Sequence, residues 1–481
     1  MSSTKEATRA ILAQRSRTGL AVVLGAVTAA AISCSGEPEP PVAPLRTPLF
    51  LPTVSAQLPT MVPPAPTRAP TPSPIPTPAP LTFEDLPVPE WTLVDGNALK
   101  GRAEIGQEIG QQFFLDVETE RLYALLPPGT LAPGGDFKRV RLLAWAPSGE
   151  LLLIASAQRQ NQVLSAVYRG RPGQPFRLVD VEAPQEASYS PDGALLALSY
   201  SYAPHIAVDI VDAASFTTID SIQWGGIGSA GWSRDGEYVA IDLPAPPPQY
   251  RAALLWRRTD RGRISLPGTA IAWSSTGHRL TYTTEPLNPS TRAGWILDPD
   301  SGATLKYVSG ENAGYWSPGD QYMTTSKFDG QYVAFTIYRL ADGERMATVT
   351  GAWFMGWLDD SSVYFIGNIC STFDLFFVRA DGSELTRFPK DSTYVLDVYP
   401  SPDKRWLAYG TQKGPQPFIR LYDIRGASVH DIPNVAGLDL VGLDRSRDIW
   451  SPDGRYLRLE GPFGRDGPCY PYPTPQTTTI E

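Results

Sequence analysis

The sequence is poor in the side chains that build most metal sites and disulfide frameworks. Its 481 residues include three histidines and three cysteines, whereas a structural zinc site alone takes about four such ligands. Basic residues are also few, because 41 Lys and Arg stand against 50 Asp and Glu, for a formal net charge of −9. This balance argues against a nucleic-acid-binding protein. We therefore expect no metal, no cofactor and no nucleic-acid partner.

Common catalytic signatures are missing as well. The sequence contains no G-x-S-x-G, Walker or H-E-x-x-H motif, and these are the usual indications of hydrolases and nucleotide-binding enzymes. Residues 226–231 match G-x-G-x-x-G, but a predicted turn and strand follow where a dinucleotide site requires a helix. Residues 298–302 lack the later acidic ligands of a calcium loop and predict a hairpin turn. A non-enzymatic role is favoured.

The first 33 residues predict export. Residues 1–18 hold four basic residues and one acidic residue, and the 14 residues from 19 to 32 are uncharged. A helix of that length spans about 21 Å, too short for the ~30 Å hydrocarbon core of a membrane. The junction AISC resembles the lipobox of bacterial lipoproteins, in which the cysteine, here Cys34, becomes the acylated first residue. Ala31 and Ser33 depart from the usual lipobox, and ordinary cleavage after an A-x-A site or an uncleaved anchor is the alternative.

A proline-rich segment follows. Residues 37–90 contain 18 prolines in 54 positions. Proline holds φ near the polyproline II value and has no N–H to donate. Residues 34–90 therefore predict a stalk or linker, with a ligand for a partner domain that binds PxxP motifs as the alternative.

The rest of the chain is a repeat array. An apolar strand, an anchor residue that is usually aromatic, a phrase such as SPDG and a second strand recur eight times. The gaps between anchors are 41 to 44 residues except for the last, which is 50. The anchors are Trp145, Tyr189, Trp232, Trp273, Trp316, Trp357, Pro400 and Trp450. In SPDG, proline presets φ, aspartate bonds the local backbone and glycine accepts a positive φ, which predicts a tight turn. Four strands at this period form one blade of a β-propeller.

These phrases resemble the TolB-type, WD-like β-propeller repeats of bacterial periplasmic proteins. We expect an all-β fold, a single β-propeller of eight four-stranded blades, with seven blades as the alternative. Residues 111–127 predict two strands without an opening phrase. We expect them to complete the eighth blade, so that two strands from each terminus close the ring. Three copies depart from the turn sequence, at Thr276, at Gly319 and Asp320, and at Leu358 and Asp359.

The predicted organisation has four parts. They are a lipoprotein signal peptide (residues 1–33), a proline-rich stalk (34–90), the β-propeller (91–467) and a C-terminal tail (468–481). His205, His278 and His430 fall at a third-strand start, in a first turn and in a fourth strand, so we do not expect them to converge on a metal. Cys370 and Cys469 are a candidate disulfide pair, since an exported protein permits one.

Candidate binding residues lie in the connections of one propeller face. Aromatic side chains beside glycine suit a protein or carbohydrate contact surface, although the same rings also fill gaps between blades. The candidates are Tyr202, Trp224, Tyr250, Asn312, Trp353 and Phe354.

The predicted function is non-enzymatic protein binding or scaffolding at the bacterial cell envelope. The resemblance to TolB-type propellers implies an envelope or extracellular protein as partner, and the lipid anchor implies an extracytoplasmic, membrane-attached protein. We expect a monomer. The alternative is a propeller enzyme or lectin that acts on envelope or extracellular glycans.

Overall fold

The computed structural model describes the repeat region and part of its flanks. The described residues are 81–94, 112–125, 137–159, 162–202, 205–223, 230–244, 251–284, 292–309, 311–328, 333–369, 372–388, 394–413, 416–432, 439–440, 449–460 and 479–480. The chain divides into two compact units, Met1–Ser73 and Pro74–Glu481, and every described residue belongs to the second. None of these residues lies in a helix long and apolar enough to cross a membrane.

Apart from the short 3₁₀ helix Phe83–Asp85, the regular structure of the described ranges is β. Three strands precede the repeats: β1 (Thr92–Val94), β2 (Gln112–Asp116) and β3 (Arg121–Ala124). Blade 1 consists of β4 (Phe137–Trp145), β5 (Leu151–Arg159), β6 (Gln162–Gly170) and β7 (Arg177–Val179), and blade 2 of β8 (Glu186–Tyr189), β9 (Leu195–Tyr202), β10 (His205–Asp212) and β11 (Thr218–Gln223). Blade 3 consists of β12 (Ala230–Trp232), β13 (Tyr238–Pro244), β14 (Arg251–Arg257) and β15 (Arg263–Leu266), and blade 4 of β16 (Thr269–Trp273), β17 (Leu280–Thr284), β18 (Ala293–Asp298) and β19 (Ala303–Ser309).

Blades 5 to 7 continue the pattern, and three short strands end the chain. Blade 5 consists of β20 (Asn312–Trp316), β21 (Tyr322–Phe328), β22 (Val333–Arg339) and β23 (Arg345–Thr350), and blade 6 of β24 (Ala352–Trp357), β25 (Ser362–Ile369), β26 (Thr372–Arg379) and β27 (Thr386–Phe388). Blade 7 consists of β28 (Tyr394–Pro400), β29 (Trp406–Lys413), β30 (Gln416–Asp423) and β31 (Ser428–Asp431). The last three strands are β32 (Asp439–Leu440), β33 (Tyr456–Glu460) and β34 (Thr479–Ile480).

Each of blades 1 to 7 is an antiparallel meander in which strands adjacent in sequence are hydrogen-bonded neighbours. The core lies between the blades, because each neighbouring pair encloses its own apolar cluster, such as Trp232 with Trp256 between blades 2 and 3. Clusters containing Phe114 with Trp145, and Trp406 with Leu457, join the eighth sheet to blades 1 and 7. The described strands thus form a closed ring of eight blades, which confirms the predicted propeller and excludes seven blades.

Blade 8 combines both ends of the repeat region. Its strand order is β32-β33-β2-β3-β1. The inner strands β32 and β33 thus come from the end of the repeat region, and β2 and β3, further from the axis of the ring, come from the segment before it. β2 pairs with β33 from Gln112 opposite Glu460 to Asp116 opposite Tyr456. This confirms closure by strands from both termini. β1 adds a fifth strand outside β3 that the sequence analysis did not include.

The long final gap of the repeat array precedes the anchor Trp450 of blade 8. Leu440 pairs with Leu459 and Trp450 pairs with Leu457, although Leu440 and Trp450 are ten positions apart in the sequence. The extra residues of the last repeat therefore lie, in sequence, between these two paired positions. Within the predicted C-terminal tail, β34 pairs with β23 at the outer edge of blade 5.

The anchor tryptophans join neighbouring blades. Each of five indole N–H groups donates to the backbone carbonyl just before the anchor of the preceding blade. The bonds run from Trp232 to Ser188 (2.9 Å), Trp273 to Gly231 (2.8 Å), Trp316 to Ala272 (3.2 Å), Trp357 to Tyr315 (3.2 Å) and Trp450 to Tyr399 (3.1 Å). Trp145 of blade 1 has a buried indole N–H without a hydrogen-bond partner among the described residues.

In blades 2, 3, 7 and 8 the turn after the anchor is held by its serine and aspartate. In blade 2, Ser190 donates to Asp192 (2.6 Å) and accepts the N–H of the following strand. In blade 4, where Thr276 replaces the aspartate, the Thr276 hydroxyl and the Ser275 N–H instead donate to Asp320 of blade 5. The displaced aspartate of the fifth copy therefore supplies the carboxylate that the fourth copy lacks.

Candidate functional site

Two of the predicted binding residues occupy equivalent positions on neighbouring blades. Asn312 begins β20, Trp353 is the second residue of β24, and each stands four residues before its anchor tryptophan. Both strands lie at the ends of their sheets. The free edge of such an innermost strand faces the axis of the ring, so Asn312 and Trp353 stand side by side on the channel wall.

Each of these strands contains a β-bulge with a large side chain. In β20, Gly314 and Tyr315 stand opposite Thr324 alone, and in β24 Met355 is the extra residue. Tyr315 is 46% exposed although its neighbours Gly314 and Trp316 are buried. Trp353 and Met355 are half-buried and pack against the apolar cluster between blades 6 and 7. We call Asn312, Tyr315, Trp353 and Met355, which lie on the innermost strands of two neighbouring blades, the channel-edge patch.

The ring of Phe354 supports this patch from behind. It stacks on Tyr315 with ring centroids 5.7 Å apart and meets Phe335 edge-on at 5.5 Å. Phe354 is half-buried and belongs to the apolar cluster between blades 5 and 6. Its position is that of a ring that fills the gap between blades, the alternative raised for these aromatic residues.

Polar groups lie at the start of β20, beside the apolar residues of the patch. The side-chain carbonyl oxygen of Asn312 is buried and has no hydrogen-bond partner among the described residues. The neighbouring Glu311 accepts a hydrogen bond from the Thr325 hydroxyl. The patch thus combines apolar side chains with a buried amide oxygen to which no described residue donates.

The side chains of the remaining predicted site residues lie outside the described part of the structure. Tyr202 ends β9, and its side chain lies outside the described part of the structure. The other residues outside the described ranges are Cys34, Trp224, Tyr250, Cys370 and Cys469.

A second set of polar residues lies at the opposite end of the blades, among the SPDG-type turns. His278 stands in the first turn of blade 4, as expected from the sequence. Its Nδ1 lies 2.5 Å from Asp235 Oδ2 of blade 3, and its Nε2 lies 2.8 Å from Asp300 Oδ2 in the β18–β19 turn. Asp300 Oδ1 accepts a hydrogen bond of 2.6 Å from the Tyr238 hydroxyl. With Asp298, these residues form what we call the His278 cluster.

Charge dominates the His278 cluster. Burial lowers the pKa of His278, but the carboxylates of Asp235 and Asp300 outweigh it, so the pKa lies above its usual value. Burial and the bond to Asp300 together raise the pKa of Tyr238 to about 12. His278, Asp298 and Asp300 offer ligand atoms within 4.8 Å of one another, the arrangement among the described residues that could hold a metal ion.

The residues of the His278 cluster were not predicted to meet from the sequence. The first and third turns of an antiparallel meander lie at the same end of the blade, and this placed His278 near residues 298–302. The other two histidines stand where they were expected. His205 begins β10, and the exposed His430 lies in β31, 3.2 Å from the Ser428 hydroxyl.

No profile of a known protein family matches the chain, and no curated protein matches it. Solved propeller structures do. The chain is 16% identical to a protein assigned as TolB from Agrobacterium tumefaciens, with 73% of this chain and 97% of that chain covered and a TM-score of 0.33. It is 13% identical to dipeptidyl peptidase 4 of Porphyromonas gingivalis, with 64% and 54% covered and a TM-score of 0.48.

A third similar structure is the β-propeller domain of the Trilobed protease from Pyrococcus furiosus. It is 12% identical, with 62% of this chain and 98% of that chain covered and a TM-score of 0.41. Identities and TM-scores at this level concern the fold at most. The assignment of a propeller therefore rests on the strand order of the eight described sheets and on the apolar clusters between them.

Proposed function

We propose that the chain is a non-enzymatic protein-binding module at the bacterial cell envelope, attached to the membrane through a lipid on Cys34. The observation that carries the proposal is the channel-edge patch, where the Tyr315 ring is exposed on one innermost strand and the half-buried Trp353 and Met355 lie on the next. Aromatic and methionine side chains are enriched at the centres of protein interfaces, where they bury much apolar area.

The polar part of the patch favours a polypeptide ligand. A buried acceptor without a partner costs about 1–3 kcal/mol. If the half-buried Asn312 side chain turns outward, a main-chain N–H from a bound segment would satisfy its carbonyl oxygen, while an apolar side chain packs against Tyr315. A ligand with alternating polar and apolar groups, such as an extended peptide, matches both features.

The predicted N-terminal segments suit such a role. Two or more acyl chains give stable membrane attachment, whereas one is marginal. A proline-rich stalk over residues 34–90 would reach on the order of 170 Å at ~3.1 Å per residue if fully extended. The propeller would thus meet partners away from the membrane surface. Metabolic labelling with a fatty acid tests the anchor: label should enter the wild-type chain and be lost in Cys34→Ala, and equal labelling of both would refute it.

The binding role is tested by capture from an envelope extract followed by titration with the purified partner. The immobilised full chain is compared with a Tyr315→Ala, Trp353→Ala double variant. The matched control is Leu305→Ala on the outermost strand of blade 4, where Leu305 is 60% exposed. We expect saturable binding of one protein that the control retains and the double variant weakens at least about tenfold, the range of hot-spot residues.

Other outcomes contradict the proposal in distinct ways. A partner bound equally by the double variant would keep protein binding and remove the channel-edge patch from it. Saturable binding of a glycan, with no protein captured, would replace the proposal by the lectin alternative. Turnover of a bound substrate would refute a non-enzymatic role.

A further inference from the structure

The His278 cluster has the form of a histidine ligand that is already oriented. Metal-bound histidines almost always donate the N–H of the second ring nitrogen to a carboxylate, which fixes the ring and its tautomer. Asp235 takes this place, 2.5 Å from Nδ1, and it belongs to the preceding blade. The opposite nitrogen, Nε2, is directed at the β18–β19 turn, where Asp298 and Asp300 stand.

The two aspartates of that turn are themselves positioned. Asp298 Oδ1 accepts the backbone N–H groups of Asp300 and Ser301 at 3.1 and 3.3 Å. Asp300 Oδ1 accepts the hydroxyl of Tyr238, a residue with no exposed surface, and this turns Asp300 Oδ2 toward His278. Each carboxylate is thus anchored through one oxygen.

We propose that His278 Nε2, Asp298 and Asp300 bind one divalent transition-metal ion of the zinc class, with water in the remaining positions. An imidazole nitrogen with carboxylate oxygens suits zinc, cobalt or nickel, whereas calcium takes six to eight oxygen ligands. Metal–ligand bonds of about 2.0–2.2 Å hold two ligand atoms roughly 3.4 Å apart. The present 2.8 Å between Nε2 and Asp300 Oδ2 has to open slightly, and the Asp300 side chain, 58% exposed, has room to do so.

The site joins two blades, which gives the ion a structural consequence. Asp235 comes from the SPDG-type turn of blade 3, while His278, Asp298 and Asp300 come from blade 4. An ion that binds the folded chain and not the unfolded chain raises its stability by mass action. This inference concerns the turn end of the blades and does not depend on the channel-edge patch.

Calorimetric titration of the full chain with Zn²⁺ tests the site. We expect one equivalent to bind, with a rise in Tm, and Ca²⁺ to have no such effect. His278→Ala should abolish binding, and Asp235→Asn should weaken it about tenfold through loss of ring orientation. His430→Ala is the matched control, because His430 is exposed and lies in blade 7.

Asp298→Asn removes one ligand at an exposed turn and keeps the test decisive if His278→Ala does not fold. No saturable Zn²⁺ binding by the wild-type chain would overturn the proposal and leave His278 as an ion-paired link between blades. Equal binding by wild type and His278→Ala, or loss in His430→Ala, would also overturn it. Saturable Ca²⁺ binding at the same residues would refute the metal class.

Discussion

An ion pair between the buried Asp116 and the partly exposed Arg455 lies where the ring closes, and its removal tests how much it contributes to closure. Asp116 of β2 precedes the repeats, and its side chain is 1% exposed. It accepts two hydrogen bonds from Arg455, at 3.1 and 2.7 Å, and two from the backbone N–H groups of Glu118 and Thr119. Arg455 follows the last SPDG turn, so the pair ties the two ends of the repeat region together.

The expected cost of Asp116→Asn follows from these contacts. Removing one member of a buried pair costs about 3–5 kcal/mol. Arg455 is 42% exposed, so water compensates part of the loss, and we expect about 2–3 kcal/mol. The unfolding entropy of roughly 370 residues is ~0.8 kcal/mol/K, so Tm should fall by about 3–4 °C in calorimetry.

Asp423→Asn is the matched control. Asp423 ends the third strand of blade 7, as Asp116 does in blade 8, and accepts two backbone N–H groups at 2.9 Å. It is half-buried, and its blade is continuous in sequence. We expect a loss below about 1 kcal/mol there. Equal effects of both variants, or a Tm of Asp116→Asn within about 1 °C of wild type, would refute a special role of the pair in closure.

The same pair predicts how stability depends on pH. Burial alone raises the pKa of Asp116, but the bonds from Arg455 and the two backbone N–H groups outweigh it, and the pKa lies below its usual value. A lowered folded-state pKa contributes stability that is present above the unfolded value of about 3.9 and is lost as pH falls through the folded value. The difference in unfolding free energy between wild type and Asp116→Asn should therefore be full at neutral pH and shrink below about pH 4. A difference that grows on acidification would contradict this sign.

Four further substitutions test contacts between blades and within one blade. Trp316→Phe removes an indole bond to Ala272, whereas Trp145→Phe removes an N–H without a partner in the described structure. In urea unfolding, Trp316→Phe should lower the free energy of unfolding by about 1 kcal/mol more than Trp145→Phe does. A larger loss for Trp145→Phe would refute the role of the indole hydrogen bonds. Thr276→Asp restores the repeat sequence but sets a carboxylate against Asp320, whose side chain is 5% exposed. It should lower stability by about 1 kcal/mol or more, and a rise in Tm would contradict the shared carboxylate. Gly356→Ala places Cβ 2.3 Å from the Tyr364 hydroxyl and should cost about 1–3 kcal/mol, which an unchanged Tm would refute.

The repeat region was predictable because its signals are local. The turn chemistry of SPDG and the apolar strands on each side recur within one repeat, so blade number and strand order follow from the sequence alone. Closure was predictable because residues 111–127 contain two strands and no opening phrase. β1 and β34 were not, since strands of three and two residues carry no periodic pattern, and β34 in addition pairs with a strand about 130 residues earlier in the chain.

The sequence predicted the candidate binding residues in connections between strands, and the structure corrects this for three of them. Asn312 belongs to β20, and Trp353 and Phe354 belong to β24. Tyr315 was not among the candidates, because its exposure comes from a bulge that is defined only by pairing with Thr324. Phe354 was chosen and packs between blades, since a bulge also shifts which side chains face inward.

Departures from a repeat sequence are therefore best interpreted across neighbouring copies. The apolar cluster between blades 4 and 5 consists of Ile296, Trp316 and Met323 with a few partly buried neighbours. The same interface has hydrogen bonds from Thr281 to the Gly314 carbonyl (2.9 Å) and from the Ala313 N–H to Thr283 (2.9 Å). The hydrogen bond from the Thr276 hydroxyl to Asp320 is a further contact across this interface, and it accounts for the irregular turns of the fourth and fifth copies. Because a turn contacts the next blade as closely as its own, the loss of an aspartate in one copy is offset by its displacement in the next.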